Sequence, residues 1–153
     1  MNIRSLKILL EGTHSTTGSP FDSDSQIASD QMNAANVDRL VPLLSTGLLA
    51  WSAGSSEGDR PRIIKLKEGA ASHASEVVQA IAIAADIMLL RETTVLDLNL
   101  PDRAAMVDAL VSGEVLSAAD STSLYGLATE TISYAEFSNL SFIHAGHVEQ
   151  ARA

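Results

Sequence analysis

The longest apolar run in the chain, residues 77–90 (VVQAIAIAADIMLL), limits most strongly what this sequence can fold into. Its large side chains recur every three to four residues, with Val77, Ile81 and Met88 on one face, which is the spacing of an α-helix. Further apolar residues widen that face, as is typical of a helix packed on several sides. The run holds two polar residues and is about five residues too short to cross a bilayer. We therefore predict a buried central helix over about 75–91.

The same period recurs along most of the chain and predicts further short helices. Asn2, Ser117 and Ser133 are expected N-caps, and Gly12 and Gly113 are expected helix ends. Helical spacing or capping signals also occur at about 2–11, 25–33, two halves of 36–53, a segment opening at 61, and 101–113, 117–128, 133–137 and 146–152, and from these segments we expect six to seven helices in all. Residues 12–24, rich in glycine and hydroxyl side chains, favour an irregular loop. The predicted fold class is all-α, a compact bundle of six to seven short helices crossing at several angles in a single domain, 1–153.

Two segments have less regular patterns. Pro42 lies inside the apolar stretch 36–53 and would kink one continuous helix, so two short helices are expected there. Pro61 suits the first position of a helix, since its missing donor has no partner there. Residues 62–67 (RIIKLK) also fit a short strand with β-branched residues, and we favour the helix.

Composition excludes several classes of function. The chain has 10 Lys plus Arg against 19 Asp plus Glu, a formal net charge of −9, which argues against a nucleic-acid binder that works by neutralising phosphates. It contains no cysteine, so disulfides, thiol catalysis and thiolate zinc sites are excluded. We expect no cofactor, no nucleic acid and no membrane as partners.

Three motif fragments are more simply explained by local structure. The glycine-rich text 12–19 lacks the lysine of a phosphate-binding loop. Residues 22–33 begin like a calcium loop but lack its glycine and its final glutamate, so an Asp-rich helix entry explains them better. His144 and His147, with Glu149 nearby, could offer ligands to zinc, but pairs without a third fixed ligand are usually surface or capping residues. We predict no metal site and no enzymatic activity.

The most uneven charge feature is a basic segment, in which four of the ten basic residues fall within eight positions. It could dock an acidic protein surface or a phosphate backbone. Alternatively, the long side chains could cover neighbouring apolar residues while their charged ends stay in water. The predicted partner-binding residues are these four and the only tryptophan: Arg60, Arg62, Lys65, Lys67 and Trp51.

The C-terminal half resembles a known group of proteins. Residues 102–120 (DRAAMVDALVSGEVLSAAD), the following LYGL and SYAE motifs and the ending GHVEQARA resemble a small helical protein encoded among the tail or other virion genes of tailed bacteriophages. The resemblance covers about the last 55 residues, and the remainder more weakly. It implies a non-enzymatic virion component, present in several copies at a symmetric tail, neck or capsid position.

Two functions are therefore expected from the sequence. The first is a structural component of a tailed phage particle, assembled in the host cytoplasm and located in the virion, which contacts other virion proteins. The alternative is a small acidic phage-encoded regulator that binds and inhibits a host protein.

Overall fold

The computed structural model describes residues 1–12, 18–56, 58–89, 91 and 95–153. Helices dominate, but short strands pair in two two-stranded sheets. The all-α prediction is therefore wrong, and the fold class is α+β. In chain order the elements are α1 (Ile3–Leu10), α2 (Ser25–Asn33), β1 (Ala35–Leu40), β2 (Leu43–Leu44), α3 (Ser45–Ala53), α4 (Arg62–Ala71), α5 (Glu76–Leu89), β3 (Val95–Leu96), α6 (Pro101–Ser112), α7 (Ala118–Ala128), β4 (Thr129–Ser133), α8 (Tyr134–Phe137) and α9 (Ala145–Arg152).

The strands occupy segments for which the sequence predicted a helix or a connection. β1 replaces the first of the two short helices expected in 36–53, and β4 follows α7 directly. β1 pairs with β4, and at this sheet the Thr131 hydroxyl donates to Asp38 Oδ1 at 2.6 Å. In the second sheet Leu43 pairs with Leu96 in an antiparallel ladder. These ladders join segments that are far apart in the chain, so the strands could not be predicted from the local spacing of apolar residues.

The chain forms two compact units, residues 40–130 and residues 1–39 with 131–153. In the unit 40–130, α5 packs along α4, and the buried residues of α5 are Ala82, Ala85 and Leu89. Leucine and valine side chains from α3, α4, α6 and α7 complete this core. The core contains an apolar cavity of about 30 Å³, which is room for about one water molecule but without polar partners to hold it.

The other unit has a core of its own, formed by α1, α2, α8 and α9. Leu6, Met32, Ile143 and Val148 are fully buried in it. The Asn33 side chain fastens α2 to the segment before α9, since it donates to Ile143 O at 2.6 Å and accepts from Ile143 N at 2.9 Å. The prediction of one domain over 1–153 stays a prediction, because the division of contacts into two units does not show whether the units unfold together.

Most helix boundaries follow the predicted caps. The Asn2 side chain accepts from Ser5 N, and the Ser133 side chain accepts from Glu136 N, so both serve as N-caps. Ser117 forms a full capping box with Asp120. The predicted helix 75–91 is confirmed as α5. Pro61 differs by one position from its expected place, since it is the N-cap residue and α4 begins at Arg62.

The turn after α6 has one position where close packing requires a glycine and another where the backbone is left-handed, and these are two different residues. Gly113 has an ordinary φ of −84°, and a Cβ there would lie 2.5 Å from Val78 Cγ1, so close packing explains this glycine. The left-handed position is Glu114, with φ of 61°. Glu114 N donates to Val111 O and Val115 N to Leu110 O, the pair of bonds that ends a helix in a Schellman motif. A glutamate therefore occupies a position that favours glycine.

We expect Glu114→Gly to raise the free energy of unfolding by about 1 kcal/mol, because it removes the Cβ penalty of the left-handed conformation. Asn139, with φ of 56° after α8, is the matched control. Asn139→Gly should gain less, since asparagine tolerates this conformation. Urea denaturation of both variants measures the difference, and an equal or larger gain at Asn139 would contradict the assignment.

Candidate functional site

The four basic residues predicted to bind a partner lie in two different environments. Arg60 and Lys67 are exposed, with 61% and 51% of their side chains accessible, and they pair with Glu68 and Asp86. Arg62 and Lys65, one turn apart at the start of α4, are buried, at 6% and 7% exposure. The charged groups of Arg62 and Lys65 therefore contact other groups of this chain. They are not exposed to water above an apolar surface, and they do not form an exposed basic surface.

The carboxylate that holds both cations belongs to Asp120, which is completely buried. Arg62 Nε donates to Asp120 Oδ1 at 2.8 Å, and Lys65 Nζ donates to Oδ2 at 2.6 Å. Lys65 also pairs with Asp59. These two acids and two bases form a balanced group, which we call the ion cluster: Asp59, Arg62, Lys65 and Asp120.

Local structure at the start of α7 fixes the position of Asp120. The backbone N–H of Ser117 donates to Asp120 Oδ2 at 2.9 Å, and the Ser117 hydroxyl accepts from Asp120 N at 3.1 Å. The Ser56 hydroxyl adds a bond to Oδ1 at 2.6 Å. The sequence predicted Ser117 and Asp120 as a helix start, but it gave no signal that this carboxylate would meet α4.

Trp51 contacts the ion cluster through Arg62. Its ring centroid lies 5.2 Å from the Arg62 guanidinium carbon, and its backbone oxygen accepts from Arg62 Nη1 at 2.8 Å. The residue is 8% exposed, and its indole Nε1 is buried without a hydrogen-bond partner among the described residues. Trp51 thus contributes to the packing of α3 against α4.

The electrostatics of the cluster favour its charged forms. Burial by itself would raise the pKa of Asp120, but hydrogen bonds from Lys65, Ser56 and Ser117 lower it well below its usual value. Burial would likewise lower the pKa of Lys65, and the bonds to Asp120 and Asp59 raise it overall. The pKa of Asp59 is lowered mainly by its hydrogen bond with Lys65. Asp59, Lys65 and Asp120 therefore stay ionised near neutral pH, and the ion pairs of Asp120 with Arg62 and Lys65 fasten α4 to α7.

An exposed apolar stripe on α5 was not singled out by the sequence reading, which assigned this helix to the core on several sides. One side of α5 is buried, but the opposite side carries Val77, Ile83 and Ile87 at 70%, 42% and 48% exposure. Ala80 and Ala84 are exposed between them. We call this set the contact face: Val77, Ala80, Ile83, Ala84 and Ile87.

A shallow groove continues the contact face beyond the end of α5. Ala84 and Ile87 form one wall, and Val95 and Met106 contribute apolar surface from β3 and α6. Two arginines, Arg91 and Arg103, also line it. The arrangement can accommodate an apolar segment that carries a negative charge at its end.

The remaining sequence motifs show ordinary structural roles where the structure describes them. The Asp24 side chain accepts from Gln26 N and Ile27 N, which confirms the Asp-rich helix entry. His144 N donates to His147 Nδ1 at 3.3 Å, at the start of α9. Over the described ranges, no three potential ligands from His, Asp and Glu gather as a metal site would require. Residues 13–17 of the glycine-rich text lie outside the described residues.

Within the described residues, no helix is both long and apolar enough to cross a membrane. Comparison with family models, curated proteins and solved structures finds no match. The fold and the site therefore define an α+β protein with a buried ion cluster and an exposed apolar contact face.

Proposed function

We propose that this protein is a non-enzymatic assembly module that works by binding other protein surfaces. The observation that carries the proposal is the contact face, where an apolar stripe runs along one side of α5 in a chain of net charge −9. Contiguous exposed apolar surface is a mark of interaction sites, whereas scattered apolar residues need no explanation. Burial of such surface is favourable by about 25 cal/mol per Å².

The ion cluster supports the same role indirectly. It uses Arg62 and Lys65 to hold α4 against α7, and α4 in turn supports the buried side of α5. A contact surface needs a rigid support, because ordering a mobile element on binding costs affinity. Arg60 and Lys67 remain the predicted partner-binding residues whose side chains reach solvent.

The biological setting of this proposal comes from the resemblance of residues 102–153 to small virion proteins of tailed phages. In that setting the protein is a structural component of the particle, and the contact face binds neighbouring virion proteins in the tail, neck or capsid. The protein would then be present at a fixed number of copies per particle.

Mass spectrometry of washed particles, released from cells that carry this gene, tests the setting. We expect peptides of this chain at a constant ratio to the capsid protein after density-gradient purification. If the chain is found in the lysed cells but is missing from the washed particles, the structural role is contradicted. The alternative function, a regulator that binds a host protein, would then be favoured.

A further inference from the structure

Resting on the contact role proposed above, we infer that the contact face binds the contact face of a second copy of this chain. The two α5 helices would pack antiparallel around a twofold axis that passes between Ile83 and Ala84. Three properties of α5 select this occupant: the width of the apolar stripe, the order of large and small side chains along it, and the charges at its two ends.

The stripe has the width that helix pairing requires. At 3.6 residues per turn, the contact face covers about 120° of the helix circumference, as expected of a face that packs on another helix. The buried residues Ala82, Ala85 and Leu89 lie on the other side, against the core. The contact face is thus a second apolar side of the same helix, and no element of the described part of the chain covers it.

The order of large and small residues is self-complementary. With the axis between Ile83 and Ala84, each Ile83 lies opposite Ala84 of the second copy. Ala80 lies opposite Ile87 in the same register. Each of the two isoleucines therefore meets an alanine, which lets two helix surfaces interlock at short range. A twofold interface needs this reciprocity, because the same patch serves as both partners.

The charges are self-complementary in the same register. Glu76 begins α5 and Arg91 follows its end, and both are exposed. Neither forms an ion pair with another described residue. In the antiparallel pair, Glu76 of each copy lies opposite Arg91 of the other, at the groove that Arg103 also lines. A parallel pair would place like charges together, which is unfavourable.

The small size of the contact face sets the strength of the pairing. One helical stripe on each copy buries less than the roughly 1,200 Å² that stable complexes bury. We therefore expect a weak dimer that forms at micromolar to millimolar concentration, and that becomes fully occupied when copies are held side by side in an assembly.

Sedimentation equilibrium of the full chain from about 5 to about 500 μM, a range that covers weak association, tests the pairing. We expect the average mass to rise from 16.1 kDa toward twice that value. Ile83→Glu should stay monomeric. Leu127→Glu, on the exposed side of α7 at 48% exposure against 42% for Ile83, is the matched control and should still dimerise. A wild-type chain that is monomeric throughout, or equal behaviour of the two variants, overturns the inference.

Cysteine crosslinking tests the register, because the natural chain has no cysteine. Ala80→Cys and Ile87→Cys lie about 10 Å apart along their own helix, too far for a disulfide within one chain. In the antiparallel pair they lie opposite each other. A mixture of the two single variants should give a disulfide-linked dimer on non-reducing gels, and each variant alone should not. Crosslinking of either variant alone, or none in the mixture, contradicts this register.

Charge reversal separates the self-association from the proposed function. Glu76→Lys or Arg91→Glu alone should weaken dimerisation at least tenfold at low salt, and the double variant should recover most of it, with thermal melting to confirm folding. No recovery in the double variant overturns the antiparallel pairing. A monomeric chain that is nevertheless found in washed particles ends the self-association and leaves the structural role standing. A dimer that is missing from particles does the reverse.

Discussion

Asp120→Asn should lower the free energy of unfolding by about 3–5 kcal/mol, because it removes the carboxylate that pairs with the buried Arg62 and one of the two that pair with Lys65. Arg62 and Lys65 both donate to Asp120 from inside the core. An amide keeps the shape of the side chain but turns one acceptor oxygen into a donor that faces donors. Arg62 is only 6% exposed, so water cannot readily replace the lost carboxylate.

Urea denaturation of the wild-type chain and the variant measures this loss. Asp108→Asn is the matched control, since Asp108 is exposed on α6 and the same charge is removed. The control should change stability by less than about 0.5 kcal/mol. Equal effects at the two positions would mean that net charge, and not the ion cluster, determines the stability.

The same pair of chains gives a prediction for pH. The folded-state pKa of Asp120 is lowered, so its contribution is complete above the ordinary value of about 3.9 and is lost as the pH falls toward the lowered pKa. The folded-state pKa of Lys65 is raised, so its contribution is lost only as the pH rises beyond about 10.4 through that raised value. We expect the stability gap between wild type and Asp120→Asn to be constant from about pH 5 to pH 9 and to shrink below about pH 4. A gap that grows in acid contradicts the sign of the Asp120 shift.

Gly69→Ala is the second substitution with a large expected effect. We expect it to lower the free energy of unfolding, although helix propensity alone would raise it. Alanine is favoured over glycine by about 1 kcal/mol inside a helix. At Gly69 in α4, however, a Cβ would lie 2.9 Å from both methyl carbons of Val115 and 3.4 Å from Ala82 Cβ. Val115 is stiff and buried. We therefore expect a net loss of about 1–3 kcal/mol from overpacking.

Gly126→Ala is the control that isolates packing from propensity. Gly126 is also in a helix, α7, but a Cβ there would meet no atom within 4 Å. It should gain up to about 1 kcal/mol. Adding Val115→Ala to Gly69→Ala should cost less than the sum of the single changes, because it removes the methyl groups that clash. A stabilising Gly69→Ala would contradict the close approach of α4 to Val115.

Helices with their own start and stop residues were predictable from the sequence. α1, α2 and α6 lie where apolar spacing and capping residues placed them, and the ambiguous segment 62–67 proved helical, as favoured. The strands could not be predicted in the same way. Each is short, and β1 gains its hydrogen bonds from β4, some ninety residues later in the chain.

The candidate site divides along similar lines. The sequence located the basic segment but could not separate Arg62 and Lys65, which are buried, from Arg60 and Lys67, which are exposed. Arg62, Lys65 and Lys67 each lie beside an apolar residue of the same segment, and Arg60 lies two residues before Arg62. The difference comes from Asp120, which is 58 residues from Arg62 in the chain.

The sequence by itself determined where most of the helices lie and begin, and that the chain carries excess negative charge, because these properties depend on neighbours within a few residues. Only the tertiary structure decided which cations are neutralised inside the core and which side of α5 remains uncovered. Those outcomes depend on which distant segments pack together. Charged and apolar groups contribute to the free energy of folding through burial only where that packing removes them from water.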